Sequence, residues 1–244
     1  MRALIVTAVA AEADSVVSGL TGPVPHPDPV TPEPRTLPGG YLVSRRDLPG
    51  LAADVLVGGV GPAAAAAATA TALALAEYSL VVSAGIGGGF APAAPVGSLV
   101  VADALVAADL GAETPDGFLD VRELGFGHSV HLPPAELAAR AAEATGGLLA
   151  PVLTVSTVTG TAEGAARLAA RHPLAGAEAM EGFGVAEAAA AHGLPVLEIR
   201  AVSNAVGPRD RDAWRIGDAL AALTAGFRAL GPVLVTWGER HEHR

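Results

Sequence analysis

"LVVSAGIGGGFAP" (Leu80–Pro92) decides how the chain is read. It opens with an apolar run of strand length, "LVVSAG", and carries glycines at 85, 87, 88 and 89. A run without alternating polar residues belongs to a strand covered on both faces, the parallel-sheet environment of α/β proteins. The glycines then predict a turn at the carboxyl end of that strand. Ligands of open α/β sheets collect at such ends, and backbone without side chains admits a ligand closely. From spacing alone, a flexible turn and a ligand-contacting turn are equal readings.

The same alternation runs along the chain. "ALIVTAV" (3–9) reads as a buried first strand, with a short helix from about Ala11. "ADVLVGGV" (53–60) is a second strand and "PAAAAAATATALALAE" (62–77) a helix. "GSLVVADALVAADLG" (97–111) is long enough for a bent strand, and 112–132 reads as a loop. "PPAELAARAAEATG" (133–146) is a helix opened by proline. "APVLTVSTVTG" (150–160) is a strand, and "TAEGAARLAARH" (161–172) a helix capped by Thr161. A further helix ends near His192, "LPVLEIRAVSNAVG" (194–207) is a strand entering a polar loop, and Asp212–Leu230 is the last helix. Residues 21–39 are too rich in proline for regular structure and read as a surface loop or extended arm. The chain shows no internal repeat. The expectation is an α/β protein with one domain over 1–244, a central twisted mixed β-sheet flanked by helices.

Composition narrows the function. Of 244 residues, 51% are hydrophobic and 16% charged, enough for a large core and against disorder. The net charge of −10 argues against nucleic acid and anionic membrane, which both want a basic footprint. A small molecule or another protein is the expected partner. The absence of cysteine removes disulfides, thiol catalysis and cysteine metal sites. Residues 55–76 and 79–102 carry no charge over span-like lengths, but glycine and proline break both, so buried elements of a soluble protein explain them better. Glu12 and Asp14 interrupt the apolar N-terminus, which therefore does not read as a signal peptide. The cytoplasm is the expected compartment. The tail "ERHEHR" reads as a solvated end, and no metal or cofactor is expected.

Several residues carry candidate chemistry. "GVGPAA" (59–64) fits a dinucleotide fingerprint, but the next strand ends without the acid that motif needs, so a tight strand-to-helix turn is the better reading. Glu12 lies just past the first strand, where the helix dipole alone would favour a carboxylate. "EAMEGF" (178–183) sets Glu178 and Glu181 in an apolar region where an unpaired carboxylate is costly. Asn204 ends the strand "VLEIRAVSN", where a turn-forming asparagine is common. Glu12, the glycines, Thr157–Thr161 and Asn204 all fall at or just beyond strand ends, and that clustering lifts them together.

"AVAAEAD", "SAGIGGGFAPAAPVGSLVVAD", "EAMEGFGVA" and "IRAVSN" together resemble the nucleoside phosphorylase and nucleosidase superfamily over nearly the whole chain. "STVTGTAE" and "IRAVSNAVGPRDRDAW" are most similar to its futalosine hydrolase family. The resemblance implies hydrolysis of the N-glycosidic bond of futalosine, releasing hypoxanthine, in menaquinone biosynthesis. It implies that Glu181 binds the ribose hydroxyls with Met180 packed on the sugar, and that Glu12 activates water. Asn204 would address the purine, and Gly85, Gly87 and Gly88 would pass backbone along the nucleoside. Asn204 stands where adenine-specific relatives carry Asp; its amide suits the O6 and N7 acceptors of a 6-oxopurine. Where relatives carry a stacking phenylalanine, "VTGTAE" has Gly160 and Thr161, so side-chain stacking on the base is absent or comes from elsewhere, with Phe183 as the candidate. Arg209 and Arg211, with Trp214 as an aromatic face, are candidates for the substrate's aromatic carboxylate, although surface arginines paired with Asp210 and Asp212 are an equal reading. No arginine occurs between Arg2 and Arg35, where superfamily phosphorylases hold phosphate, so hydrolysis is favoured over phosphorolysis. A phosphate-dependent purine nucleoside phosphorylase, another purine nucleosidase and a nucleoside-binding protein without turnover remain alternatives. Relatives pair subunits beside the site, which implies a homo-oligomer.

Overall fold

The apolar runs become strands and the alanine-rich stretches helices. The computed structural model of the chain describes residues 1–21 and 34–241. The core of the proline-rich segment and the last three residues of the tail therefore lie outside the described residues. In chain order the elements are β1 (Arg2–Thr7), α1 (Ala10–Thr21), β2 (Arg35–Thr36), β3 (Leu42–Leu48), β4 (Leu51–Val57) and α2 (Pro62–Leu75). Then come β5 (Leu80–Gly89), β6 (Leu99–Ala107), β7 (Gly111–Thr114), β8 (Gly117–Asp120), β9 (Val130–His131) and α3 (Ala135–Thr145). The chain ends with β10 (Leu148–Thr154), α4 (Ala162–Arg171), β11 (Ala177–Ala179), α5 (Gly182–Ala191), β12 (Val196–Ala205) and α6 (Ile216–His241).

Ten described strands form one sheet in the order β11-β10-β6-β12-β5-β1-β4-β3-β2, with β9 added on β6. Its centre is parallel: β1 pairs β4 and β5, and β5 pairs β12. β3 on β4 and β6 on β12 are antiparallel, so the sheet is mixed. The short β11 pairs β10 and also reaches β5 through Ala177–Gly89 and Glu178–Gly88. That second contact closes β11, β10, β6, β12 and β5 into a ring, with β1, β4, β3 and β2 extending from it.

Strand side chains alternate between faces, and both faces are covered. Ala3, Ile5, Val82 and Ile199 pack under α1, α3 and α6; Leu4, Val6, Val81 and Val202 pack under α2 and α5. This is a single α/β domain built around one sheet.

Four expectations change. The glycine segment is not a turn: β5 continues extended through Gly89, because β12 and β11 supply backbone partners on both sides. The expected loop 112–132 holds the β7–β8 hairpin and β9. Three further strands absent from the sequence reading, β2, β3 and β11, complete the sheet, and β2 falls within the stretch 21–39 read as irregular, where Arg35 and Thr36 pair with β3. The last helix runs eleven residues beyond Leu230, through an exposed Pro232, to His241. Past the proline, Leu234 is fully buried and Val233, Val235 and Trp237 pack on the core, which offsets the lost helical hydrogen bond. By length and composition Ile216–Arg240 could cross a membrane; here Ala219, Leu223, Phe227 and Leu230 lie in the core between helices and sheet.

Candidate active site

Because β1, β5 and β12 run parallel, their carboxyl ends meet on one edge. A cavity of about 390 Å³ opens there, and its wall includes Glu12, Glu178, Met180, Glu181, Asn204 and Arg209.

Glu12 is the third residue of α1. Its Oε2 reaches back to accept the Ala8 and Val9 N–H groups at 2.9 and 3.2 Å, the geometry of a capping box. Its Oε1 accepts the Ile86 N–H of β5 at 2.8 Å. Local capping and a long-range contact thus fix one carboxylate. Burial pushes its carboxyl above the usual range; the Ile86 N–H and the Arg200 charge oppose this, and Glu181 adds to it.

Glu181 stands at the junction of β11 and α5. Its Oε1 accepts the Gly61 N–H at 3.2 Å, and its Oε2 meets Arg200 Nη1 at 3.0 Å. "GVGPAA" is accordingly a tight turn into α2, with Gly59 and Gly61 at positive φ, and its backbone anchors this acid.

Arg200 is fully buried. It donates from Nε to Glu198 at 2.8 Å, from Nη1 to Glu181, and from Nη2 to Ser83 Oγ at 2.9 Å. Burial works against its charge, yet Glu198, Glu181 and Glu12 hold the guanidinium above its ordinary range. Burial likewise pushes the Glu198 carboxyl up, with Arg200 opposing. The sequence reading missed this pair, although "EIR" carried the signal: opposite charges two apart in a strand share one face.

Gly85 does not line the cavity; it makes the site possible. A Cβ there would lie 2.6 Å from Glu12 Oε1 and 2.8 Å from Arg200 Nη1. Only a bare backbone lets the two groups meet over β5.

Asn204 ends β12, just after a shift in its register with β5. Its Oδ1 accepts the Ser203 hydroxyl at 2.8 Å, and its Nδ2 donates to the Ala205 carbonyl at 3.0 Å. Gly87 and Gly88 line the cavity with Met180. At the mouth, the guanidinium carbons of Arg209 and Arg211 lie 5.2 and 5.9 Å from the Trp214 ring centroid. Glu178, expected to be structural, lines the cavity as well, beside Thr159.

Two expected residues stand apart from the cavity. Thr161 caps α4 by accepting the Gly164 N–H at 3.0 Å. Phe183 is buried with its ring 5.2 Å from that of His131. Both are occupied by local packing, so no aromatic side chain from α5 reaches the cavity wall. Among the described residues no group of three His, Asp or Glu side chains could hold a metal ion.

This fold and this clustering of acids define a class, and the comparisons agree with it. The chain belongs to the phosphorylase superfamily, whose sequence model matches residues 2–228, and within it to the futalosine hydrolase family. It is 60% identical over 242 residues to the futalosine hydrolase of Streptomyces coelicolor, covering 97% of this chain and 98% of that one. The solved futalosine hydrolase of Helicobacter pylori shares the fold with a TM-score of 0.78 at 15% identity, over 94% of this chain and 97% of that one. A 5'-methylthioadenosine/S-adenosylhomocysteine nucleosidase from Colwellia psychrerythraea, solved with adenine, does so with 0.74 at 23% identity, over 96% and 95%.

Gly85→Ala tests how the site is held. The strand backbone accepts alanine, so the protein is expected to fold, while Glu12 and Arg200 must shift. A shift of that size should lower kcat/KM by roughly 100-fold, read by steady-state kinetics beside a circular dichroism spectrum.

Proposed function

We propose that this chain hydrolyses the N-glycosidic bond of futalosine, releasing hypoxanthine and dehypoxanthine futalosine, as a step of menaquinone biosynthesis. The observation that carries the reading is the charge of the cavity. Among the described residues its wall bears the carboxylates of Glu12, Glu178 and Glu181 against the one guanidinium of Arg209, and the chain is similar to curated futalosine hydrolases over nearly its whole length.

Glycosidic cleavage develops positive charge on the sugar, which a nearby carboxylate stabilises. Glu181, pinned from below by Arg200 and Gly61, has lone pairs left to accept the ribose hydroxyls, and Met180 packs on the sugar. Glu12 takes the proton of the attacking water; its raised pKa brings a buried carboxylate closer to the working pH of a general base. The leaving base gains electron density, and the Asn204 amide donates to N7 or O6. An amide can donate there without being an acid, which favours hypoxanthine over adenine. The adenine-bound structure of a nucleosidase with this fold supports a purine in this cavity. Arg209 and Trp214 at the mouth offer a cation and an aromatic face to the substrate's carboxylated ring.

Phosphorolysis is the second reading, and the same charges oppose it. Like unit charges about 4 Å apart repel by on the order of 4 kcal/mol at an effective dielectric of 20, a factor of about 1,000 in occupancy. Water carries no such penalty. We place the enzyme in the cytoplasm, with its partner a small-molecule purine nucleoside and neither nucleic acid nor membrane, in keeping with its acidic charge. We also propose a homo-oligomer, supported by the exposure of Leu110, Leu119, Phe126 and Leu132.

Hypoxanthine release from futalosine, followed by chromatography, is expected at the same rate in phosphate-free buffer as with phosphate added; release only with phosphate makes the enzyme a phosphorylase. Arg209→Ala should raise KM for futalosine by roughly 10-fold or more, and leave binding of a purine nucleoside lacking the carboxylate nearly unchanged. Equal losses on both ligands remove Arg209 from substrate recognition.

A further inference from the structure

Glu178 has no part in the chemistry above, yet its placement is specific. It lies on β11 and pairs with Gly88 of β5; Asn204 on β12 pairs with the same glycine from the other side. Paired residues of adjacent strands project to the same face, so Glu178, Gly88 and Asn204 form a row across three strands, and all three line the cavity. The middle position has no side chain. A Cβ there would come within 3.0 Å of Val206 Cγ2 and 3.3 Å of Asn204 Nδ2, so bare backbone is what fits between them. The row carries a carboxylate at one end and an amide at the other, with no side chain between. Two strand spacings separate the end backbones by roughly 10 Å, room for one planar base between two hydrogen-bonding side chains.

The carboxylate is held but not used up. Thr159 donates its N–H to Oε1 at 2.8 Å and its hydroxyl to Oε2 at 2.5 Å. A carboxylate offers about four acceptor sites, so roughly half of them remain. No ion pair to Glu178 occurs among the described residues, although the residue is only 5% exposed. Both oxygens have a partner, and each keeps acceptor capacity toward the cavity. Burial pushes its carboxyl above the usual range, and the two Thr159 donors work against that by favouring the ionised form.

We propose that Glu178, oriented by Thr159, is a specificity-determining residue of the base site: it accepts the N1–H of a 6-oxopurine whose O6 and N7 edge faces Asn204. This rests on the nucleoside-hydrolase reading above. A 6-oxopurine carries hydrogen on N1 and acceptors at O6 and N7, matching acceptor at one end of the row and donor at the other. A 6-aminopurine presents a lone pair at N1 to the carboxylate and a donor group beside the Asn204 amide. Discrimination then comes from both ends, the larger part from Glu178, because an amide can turn to accept while a carboxylate cannot donate.

Binding of hypoxanthine and adenine to the intact enzyme, by titration calorimetry, tests this without depending on turnover. Wild type should prefer hypoxanthine by at least about 10-fold, and Glu178→Gln, which can turn its amide to either base, should bring the two within about threefold. Thr159→Val, which loses only the hydroxyl donor, should lower the preference in the same direction by less. A variant that weakens both bases equally, or leaves the preference untouched, overturns the proposal and makes Glu178 a fastener of the 155–161 segment. In that case futalosine hydrolysis by wild type stands unaffected. A wild type that binds neither base and leaves futalosine intact removes the functional reading itself, and this proposal with it.

Discussion

A guanidinium out of reach of water lies in the middle of the sheet, and the site is arranged around it. Removing such a charge from solvent costs several kcal/mol even after relaxation, and only a complete set of partners offsets it. Arg200 has one for each nitrogen: Glu198 on its own strand, Ser83 on the next, and Glu181 at the start of α5. Glu181 is thereby placed from inside the core, not by the loop that carries it. Gly85, without a side chain, leaves room for Glu12 to lie near the same guanidinium. Two cavity acids far apart in sequence thus answer to one buried cation, and the hydrophobic faces of the sheet set where that cation sits.

Much of this was legible in the residues, for identifiable reasons. Buried strands such as β1, β4 and β12 announce themselves as unbroken apolar runs, and parallel order then gathers their ends on one edge. Glu12 and Asn204 stood out because each sits at such an end, and Glu181 because "EAMEGF" sets an acid in an apolar stretch. The glycines misled, since a run of glycine between apolar segments ordinarily breaks a strand. Here β11 and β12 close over them and restore the pairing, a long-range event that no local pattern records. The same contact explains Glu178: a three-residue strand gives no periodicity, and the approach of Thr159 to it is visible only in three dimensions. Thr161 and Phe183 show the reverse error. Each sits beside a segment that lines the cavity, but a helix cap and a histidine ring already occupy them. The last helix runs past its expected end at Leu230 because apolar residues beyond Pro232 pack on the core, which a local reading of a proline does not reveal.

The charge of the cavity links this architecture to its chemistry. Arg200 spends its hydrogen bonds on Glu198, Glu181 and Ser83, so little of it is left to attract an anion, and Glu12 and Glu178 add negative charge at the wall. The arrangement favours a substrate that becomes cationic at the sugar and a nucleophile that begins neutral. Phosphate fits neither requirement.

The dependence on Arg200 can be measured directly in Arg200→Lys. Lysine keeps the charge but cannot present a planar fork to three partners. With charged hydrogen bonds worth about 1.5–3 kcal/mol each, kcat for futalosine should fall by roughly 10- to 100-fold in a protein that remains folded. A folded Arg200→Lys enzyme with kcat within about twofold of wild type would contradict the account, because Glu181 would then hold its place in the cavity wall without the guanidinium fork that pins it.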